Sequence, residues 1–294
     1  MACGTFLLII AGALVTSNDA GLSVPDWPTT FGSLYRIPPM VGGVKFEHGH
    51  RMVAEFIGLL TIVLAVWTWC AERRSWIRKL SLVAVGTVIA QGVLGGITVL
   101  YYLPPAVSTA HATLAQTFFC LVAVLAVVTG GEWMQHSPER VVERHRPRLR
   151  TLASLAAASV YLQLILGAAF RHSGIKLLPH LISAVIVTVL LVWTTTRVLT
   201  EHSSAPRLRK TARVLLILLL VQLSLGCAAY LTRVEWGKET AQPALSMVLA
   251  TVAHVAVGAL VLATCVVLTL QAYRHTASQA EAVSVHPAPT RVVA

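Results

Sequence analysis

The sequence predicts an all-α integral membrane protein with eight transmembrane helices. Of its 294 residues, 56% are hydrophobic and only 12% are charged. The mean hydropathy of +0.73 exceeds that of ordinary soluble domains. The apolar residues form eight runs, most of them close to the ~20 residues that a helix needs to cross a bilayer. The runs cover about residues 2–15, 52–70, 80–103, 108–128, 152–170, 179–199, 214–231 and 245–273.

Basic residues lie in alternate loops, and this pattern predicts the orientation of the chain. They follow the second, fourth and sixth predicted helices: Arg73, Arg74, Arg78 and Lys79; Arg140, Arg144, Arg146, Arg148 and Arg150; and Arg207, Arg209, Lys210 and Arg213. Because Lys and Arg are concentrated in cytoplasmic loops, both termini are predicted inside and the intervening loops outside. Membrane topology thereby accounts for most of the net charge of +11. A nucleic-acid partner is not predicted, since the charges lack interleaved aromatic residues or a recognisable binding fold.

A weak repeat divides the chain into two four-helix bundles. The motif Gln-x-x-Leu-Gly occurs at 91–95, 163–167 and 222–226, each time near the outer end of an outward-running helix. Recurrence by chance in an apolar sequence is the alternative explanation. The predicted divisions are an N-terminal half at 1–130 with a long outer loop at 16–47, a cytoplasmic basic linker at 131–150, a C-terminal half at 151–273 and a disordered tail at 274–294. Both halves begin and end inside, so an axis along the membrane normal is expected to relate them.

Four of the eleven histidines fall at one depth in the predicted helices. A single histidine in a transmembrane helix is more often a hydrogen-bonded core residue than a ligand, but one in every even-numbered helix favours a ligand set. They are His50, His111, His180 and His254, all near the outer face. Neutral imidazole is an axial ligand of haem iron, and two helices of a bundle can hold a porphyrin between them. A tetrahedral zinc site needs three or four converging ligands, whereas the repeat divides these four into two pairs.

The long outer loop ends in ionisable residues at the head of the second helix. Glu47 and His50 are three residues apart on a helix and share a face, so both can point at one haem. A carboxylate there can move a proton or stabilise positive charge. The alternative is a structural salt bridge with Arg51 or Lys45. Arg51 and Arg171 are candidate partners of haem propionates, although arginines at membrane edges also serve as anchors.

The loop and the histidines together resemble the haem A synthase family. The motifs are Gly21-Leu22-Ser23-Val24-Pro25-Asp26-Trp27-Pro28 after the first helix and Glu47-x-x-His50-Arg51 at the second, and the four histidines match as well. The resemblance covers nearly the whole chain. It implies an oxidoreductase of the cell membrane, with its active side outward, that converts the C8 methyl group of haem O to a formyl group and so makes haem A for cytochrome oxidase. The family is understood to proceed by successive hydroxylations, through an alcohol and a gem-diol that loses water.

The resemblance also implies roles for particular residues. Glu47 matches the required loop carboxylate, His50 and His111 match the histidines of the substrate haem, and His180 and His254 match the ligands of a haem b that transfers electrons. An electron donor, a haem O synthase and membrane lipid are the expected partners. Many members carry a cysteine pair in the first outer loop, one at the position of Val24, and a second pair in a later outer loop. This chain lacks both pairs, so no disulfide is predicted; its cysteines are Cys3, Cys70, Cys120, Cys227 and Cys265.

Two other functions compete with this prediction. A di-haem b-type membrane electron-transfer protein would use the same histidine pairs, but it has no need of Glu47 beside one haem. A transporter built from two parallel repeats would place ionisable residues near the membrane midplane, whereas here they cluster at the outer surface. The acid at the head of the second helix therefore favours the enzyme.

Overall fold

Eight long helices dominate the computed structural model, which describes residues 1–135, 140–143, 145–238 and 243–277. They are α1 (Ala2–Ser17), α2 (Val44–Ala71), α3 (Ser75–Leu100), α4 (Pro105–Thr129), α5 (Leu149–Arg171), α6 (Leu178–Glu201), α7 (Pro206–Tyr230) and α8 (Leu245–His275). The shorter elements are a single-turn helix (Gly131–Gln135), a π-helical turn (Leu231–Glu235), a 3₁₀ turn (Trp236–Lys238) and two strands, β1 (Val141–Val142) and β2 (Thr276–Ala277).

Seven of these helices, α2 to α8, are long and apolar enough to cross a membrane. The first, α1, is apolar but only 16 residues long. Large apolar side chains remain exposed along the spans, such as Phe56 and Trp67 on α2 and Val185 on α6. Apolar side chains on such surfaces are stable in contact with lipid. The helices also satisfy their own backbone hydrogen bonds, as a lipid environment requires. The prediction of an all-α, multi-pass membrane protein is therefore confirmed.

The helices pack as two four-membered rings. In the first ring α1 contacts α2 and α4, and α3 lies between α2 and α4; α5 to α8 repeat this arrangement. The rings join where α8 packs on α1 and α4 and where α5 packs on α4. Two hydroxyl contacts cross the junction: a buried one with 2.8 Å between the oxygens of Ser17 and Thr251, and a partly buried one with 2.8 Å between those of Thr117 and Tyr161. Each ring has its own apolar core, centred on Ile57 and Phe118 in one and on residues such as Leu191 and Leu215 in the other.

The end of α8 extends into the segment predicted to be a disordered tail. The helix continues to His275, and β2 then pairs in parallel with β1 of the segment between the two rings. Arg150 binds the carbonyl and hydroxyl of Thr276. These contacts order residues 274–277, and the rest of the predicted tail, 278–294, lies outside the described residues.

Candidate functional site

The four predicted histidines lie at one end of the helix rings. His50 and His111 are in the second turns of α2 and α4, His180 is in the first turn of α6, and His254 is further along α8. Because α8 is 31 residues long, its first turns can project beyond the membrane, and this brings His254 to the level of the other three histidines. The rings of His180 and His254 meet edge to face, with centroids 6.4 Å apart and planes at 80°. His50 and His111 lie close enough to interact electrostatically.

Each imidazole packs against a glycine of the preceding helix. A Cβ placed at Gly12, Gly95, Gly167 and Gly226 would lie 3.2, 3.2, 2.9 and 3.1 Å from Cε1 of His50, His111, His180 and His254, respectively. Contacts this short mean that any side chain would push the imidazole away, so glycine permits the close approach of helix and imidazole. Three of these glycines end the repeated Gln-x-x-Leu-Gly motif, which gives the repeat a structural role at the histidines.

The glutamine of the motif reaches the same histidine from one turn away. Gln163 Nε2 donates a hydrogen bond to the His180 carbonyl at 3.0 Å and lies 3.4 Å from Nε2 of that ring. Gln222 Nε2 lies 3.4 Å from Nε2 of His254. At His111 it is the backbone of Gln91 that lies beside the imidazole. The motif therefore places a side-chain amide and a glycine together at His180 and His254.

Both histidine pairs are surrounded by buried polar atoms that have no hydrogen-bond partner in the described residues. These atoms are Nδ1 of His50, His111, His180 and His254 and Oε1 of Gln91, Gln163 and Gln222. Unpaired buried polar atoms are costly, so a cluster of them indicates a site that a ligand completes. Two imidazoles that approach each other from opposite helices of a ring suit the two axial positions of haem iron. The residues present therefore fit a haem at each pair.

Glu47 is the buried acid of this region, with only 4% of its surface exposed. Its Oε2 accepts a hydrogen bond from the Val24 N–H at 2.8 Å, and its Oε1 accepts one from Arg51 Nη2 at 2.7 Å. The salt bridge considered as an alternative role is thus present. It holds the carboxylate one turn before His50, on the same face of α2.

Arg51 fastens the outer loop, residues 18–43, to the head of α2. Its Nη1 donates to the carbonyls of Asp26 and Thr29 at 2.8 and 3.1 Å. Its Nη2 donates to the Val24 carbonyl at 3.2 Å as well as to Glu47. These bonds favour a loop-holding role for Arg51 over the predicted contact with a propionate. Val24 is fully buried and is fixed here by the hydrogen bonds of its own backbone to Glu47 and Arg51.

The same loop folds over the end of α3. The Trp27 indole lies so close to Gly96 that a Cβ there would be 2.5 Å from the ring. Nearer its start, Gly21 packs against the Leu103 side chain, 3.3 Å from where a Cβ would be. Glycine at both positions lets the loop cover the end of the first ring closely.

A carboxylate-centred turn shapes the next part of the loop. Asp26 accepts hydrogen bonds from the backbone N–H groups of Phe31 and Gly32, both at 2.8 Å, and from the Thr29 hydroxyl. Burial acts to raise the pKa of Asp26, but these hydrogen bonds to the ionised form outweigh it and hold the pKa below its usual value. The turn is therefore built around an ionised Asp26.

Positive charge gathers at the corresponding end of the second ring. Arg171, the last residue of α5, donates a hydrogen bond to the Thr16 carbonyl of α1 at 2.7 Å. Arg233, in the π-helical turn after α7, lies near enough to Arg171 for their charges to interact, and Asp19 attracts both. The structure thus adds Arg233 to the predicted Arg171 as a cation at this end.

Two residues of this region carry no clear signal in the sequence. Gly12 supports His50 but lacks the motif, because Leu8 stands where the glutamine would be. A search for one glycine at matching depth in every odd-numbered helix would have found it.

His172 looks like a solvated loop residue, yet burial and then the nearby Arg171 and His111 lower its pKa to about 4. That environment comes from both rings, so the local sequence does not reveal it.

Comparison with known proteins identifies the family. The cytochrome oxidase assembly protein family matches residues 44–178, which include Glu47 and the first histidine pair. The haem A synthase of Symbiobacterium thermophilum is 32% identical over 252 residues, covering 75% of this chain and 80% of that protein. The haem A synthase of Exiguobacterium is 30% identical, over 58% of this chain and 55% of that protein. The haem A synthase of Shewanella oneidensis is also 30% identical, over 55% of this chain and 52% of that protein. With a relative this similar over most of both proteins, the chain belongs to the haem A synthase family.

Proposed function

We propose that this chain oxidises the C8 methyl group of haem O to the formyl group of haem A. The first ring binds the substrate haem between His50 and His111, and the second holds haem b between His180 and His254. The relatives named above are haem A synthases. The close approach of His180 and His254, and the buried unpaired polar atoms at both histidine pairs, support two haem sites.

One observation favours an enzyme over an electron carrier: a carboxylate stands at only one of the four histidines. Glu47 precedes His50 by three residues. The matching positions before His111, His180 and His254 hold Ser108, Leu177 and Thr251. Electron transfer between two haems has no use for an acid at a single ligand, whereas oxidation of a methyl group involves proton movement at one haem.

The proposed mechanism assigns the chain's own residues to binding and proton transfer. Bound haem b supplies one-electron redox chemistry that side chains cannot provide. His50 and His111 orient the substrate so that its reacting edge lies near Glu47. The Glu47 carboxylate takes up a proton or stabilises developing positive charge there. Val24 and Arg51 keep both carboxylate oxygens in place, so little reorganisation is needed during the reaction.

The cations of the second ring are proposed to bind the haem b propionates. Arg171 is the predicted contact, and Arg233 beside it adds a second positive charge. A guanidinium pairs with a carboxylate through two parallel hydrogen bonds. Arg51 is instead assigned to the loop, as its four hydrogen bonds indicate.

The histidine end of the molecule is proposed to face outward across the plasma membrane. Clusters of basic residues mark the opposite end, for example Arg74 before α3, Arg148 before α5 and Arg209 at the start of α7. Conversion of a methyl to a formyl group is a net oxidation that inserts one oxygen atom, so the reaction requires an external oxidant and oxygen source. An electron donor and an enzyme that makes haem O are proposed as partners.

Haem extraction after expression in a membrane that makes haem O but no haem A tests the proposal. The variants are Glu47→Gln and, as a matched control, Glu55→Gln, an exposed acid two turns further along α2. Haem A or its alcohol precursor is expected from the parent and the control but not from Glu47→Gln, with haem b retained in all three. Recovery of haem b alone from the folded parent, with haem O available, would make the chain an electron carrier instead.

A further inference from the structure

The second half of the outer loop exposes a run of large apolar side chains. We call residues 31–41 the loop tip. The Tyr35 side chain in its middle is 92% exposed. Four further apolar residues of the tip each have more than half of their surface exposed: Phe31, Leu34, Ile37 and Val41. A contiguous apolar patch of this kind is rare on soluble surfaces and marks an interaction site.

The loop tip packs against the head of α2. Thr30, directly before the tip, places its Oγ1 3.2 Å from Nδ1 of His48. Met40, near the other end of the tip, places its Cε 3.9 Å from where a Cβ on Gly49 would stand. These two contacts hold both ends of the tip at one level of the helix.

The contact at Gly49 is on the face of α2 that points away from the first ring. With 3.6 residues per turn, Gly49 is turned roughly 160° away from the buried Glu47. Met52 and Phe56 follow Gly49 by three and seven residues, so they continue its face along the helix. Both side chains are exposed on the membrane-spanning part of α2. The loop tip is therefore continuous with a surface that contacts lipid.

The length of α2 sets the depth of the loop tip. The helix has 28 residues, Val44–Ala71, whereas ~20 residues cross the hydrocarbon core. Arg73 and Arg74 mark the other membrane edge directly after Ala71. Counted from that edge, Met52 lies at the limit of the hydrocarbon and Gly49 roughly 5 Å beyond it. The headgroup layer is about 5–8 Å thick on each side, so the tip lies at the level of the headgroups.

The backbone and side chains of the loop tip suit this layer. The Ser33 hydroxyl accepts hydrogen bonds from the backbone N–H groups of Tyr35 and Arg36, at 3.2 and 3.0 Å. Pro38 and Pro39 follow and have no N–H. Few unpaired donors are thus presented to apolar surroundings, where they are costly. Tyr35 joins an apolar ring to a polar hydroxyl, and the Arg36 side chain can reach phosphate groups, as is typical of residues at a membrane interface.

We propose that the loop tip, residues 31–41, inserts its apolar side chains among the lipid headgroups beside α2. Lipid, and not a protein partner, is the occupant of this surface. The earlier part of the same loop binds Glu47 and Arg51 through the Val24 backbone. The loop is thus attached both to the acid of the first ring and to the membrane. The inference does not depend on which haem the first ring binds.

Photo-crosslinking to lipid tests the proposal. The full chain carries p-benzoylphenylalanine in place of Tyr35 or, separately, of Leu34, and is irradiated in phosphatidylcholine nanodiscs before its intact mass is measured. Phe56 replaced in the same way is the control for lipid contact, and Arg140, exposed in the segment between the rings, is the control for solvent. The yield of lipid adducts at 34 and 35 is expected to approach that at 56 and to exceed that at 140 by roughly threefold or more.

Irradiation of the same variants in native membranes separates lipid from a protein partner. A protein adduct in place of the lipid adduct would make the loop tip a protein-docking surface. Yields no higher than at position 140 in both preparations would place the tip in water. Either result would overturn the proposal.

Hydrogen exchange supplies a second test that needs no bulky probe. Leu34→Ser removes one apolar side chain from the proposed lipid contact and, because Leu34 is exposed, disturbs little else in the chain. Exchange of residues 34–41 in nanodiscs is expected to accelerate roughly three- to tenfold, as partial burial of one leucine predicts. Exchange of residues 24–30 should stay parental, which shows that the rest of the loop is intact. Unchanged exchange of the tip in Leu34→Ser would contradict its insertion.

Discussion

The imidazole of His180 rests on Gly167, with its Cε1 atom only 2.9 Å from where a Cβ on that residue would stand. His50, His111 and His254 meet a glycine in the same way. These contacts set how closely each odd-numbered helix approaches the following even-numbered one. The same contacts therefore determine both the spacing of the helices and the positions of the imidazoles.

Replacement of Gly167 by Ala should displace the His180 ring. The added methyl group has to move the imidazole by several tenths of an ångström, since nonbonded carbon atoms prefer separations of about 3.5–4.0 Å. Haem b content of the purified protein should fall below half of the parental value. Gly92→Ala is the control, because nothing lies within 4 Å of a Cβ there. A full complement of haem b in Gly167→Ala, with the parental spectrum, would show that the contact does not position the ligand.

Replacement of Arg51 by Lys should loosen the outer loop. A lysine ammonium cannot reproduce the forked contacts that the guanidinium makes with three carbonyls and Glu47. Hydrogen exchange of the segment 24–30 should accelerate by roughly tenfold or more, given ~1.5–3 kcal/mol for hydrogen bonds to charged groups. Arg36→Lys, in the exposed part of the same loop, should leave that exchange unchanged. Equal hydrogen-exchange rates of this segment in both variants would show that Arg51 does not hold the loop.

The turn around Asp26 should be insensitive to pH between 7 and 5. Because the pKa of Asp26 is lowered in the folded chain, its stabilising contribution is complete above the unfolded pKa. The contribution is lost only as the pH falls through the lower folded value. Exchange of the Phe31 and Gly32 amides, corrected for intrinsic rates, should therefore stay constant over this range. Asp26→Asn should accelerate it at every pH, and a rise in the parent centred between pH 5 and 6 would contradict the assignment.

The hydrogen bond between Ser17 and Thr251 should couple the two rings. A double-mutant cycle of Ser17→Ala and Thr251→Val, followed by unfolding in detergent, isolates the pair from the other bonds that Thr251 makes. A coupling free energy of about 0.5–1.5 kcal/mol is expected for one buried hydroxyl pair. Strictly additive effects would mean that this contact contributes nothing to holding the rings together.

The sequence predicts the membrane helices and the main candidate residues because both depend on local periodicity. Runs of apolar residues mark the spans, and one histidine per even-numbered helix at matching depth indicates which side chains meet. The motif repeat locates Gly95, Gly167 and Gly226 because the helical register carries them to the facing histidine.

The remaining features depend on tertiary contacts that periodicity does not encode. The carbonyls that Arg51 binds belong to an irregular loop, and their directions follow from how that loop folds over α3. Gly12 escapes the motif because its helix carries Leu8. The sequence predicts a disordered tail from residue 274 onward, but the end of α8 is ordered by the pairing of β2 with β1, which is remote in sequence.

The central claim is that the two histidine pairs have different tasks. Its most direct test compares His50→Leu and His180→Leu, purified from cells that make haem O, by haem b content and by haem A formed. His180→Leu should lose haem b, whereas His50→Leu should keep the parental amount of haem b and form no haem A. If His50→Leu loses haem b while His180→Leu retains it, or if His50→Leu still forms haem A at the parental level, the assignment of the two pairs is contradicted.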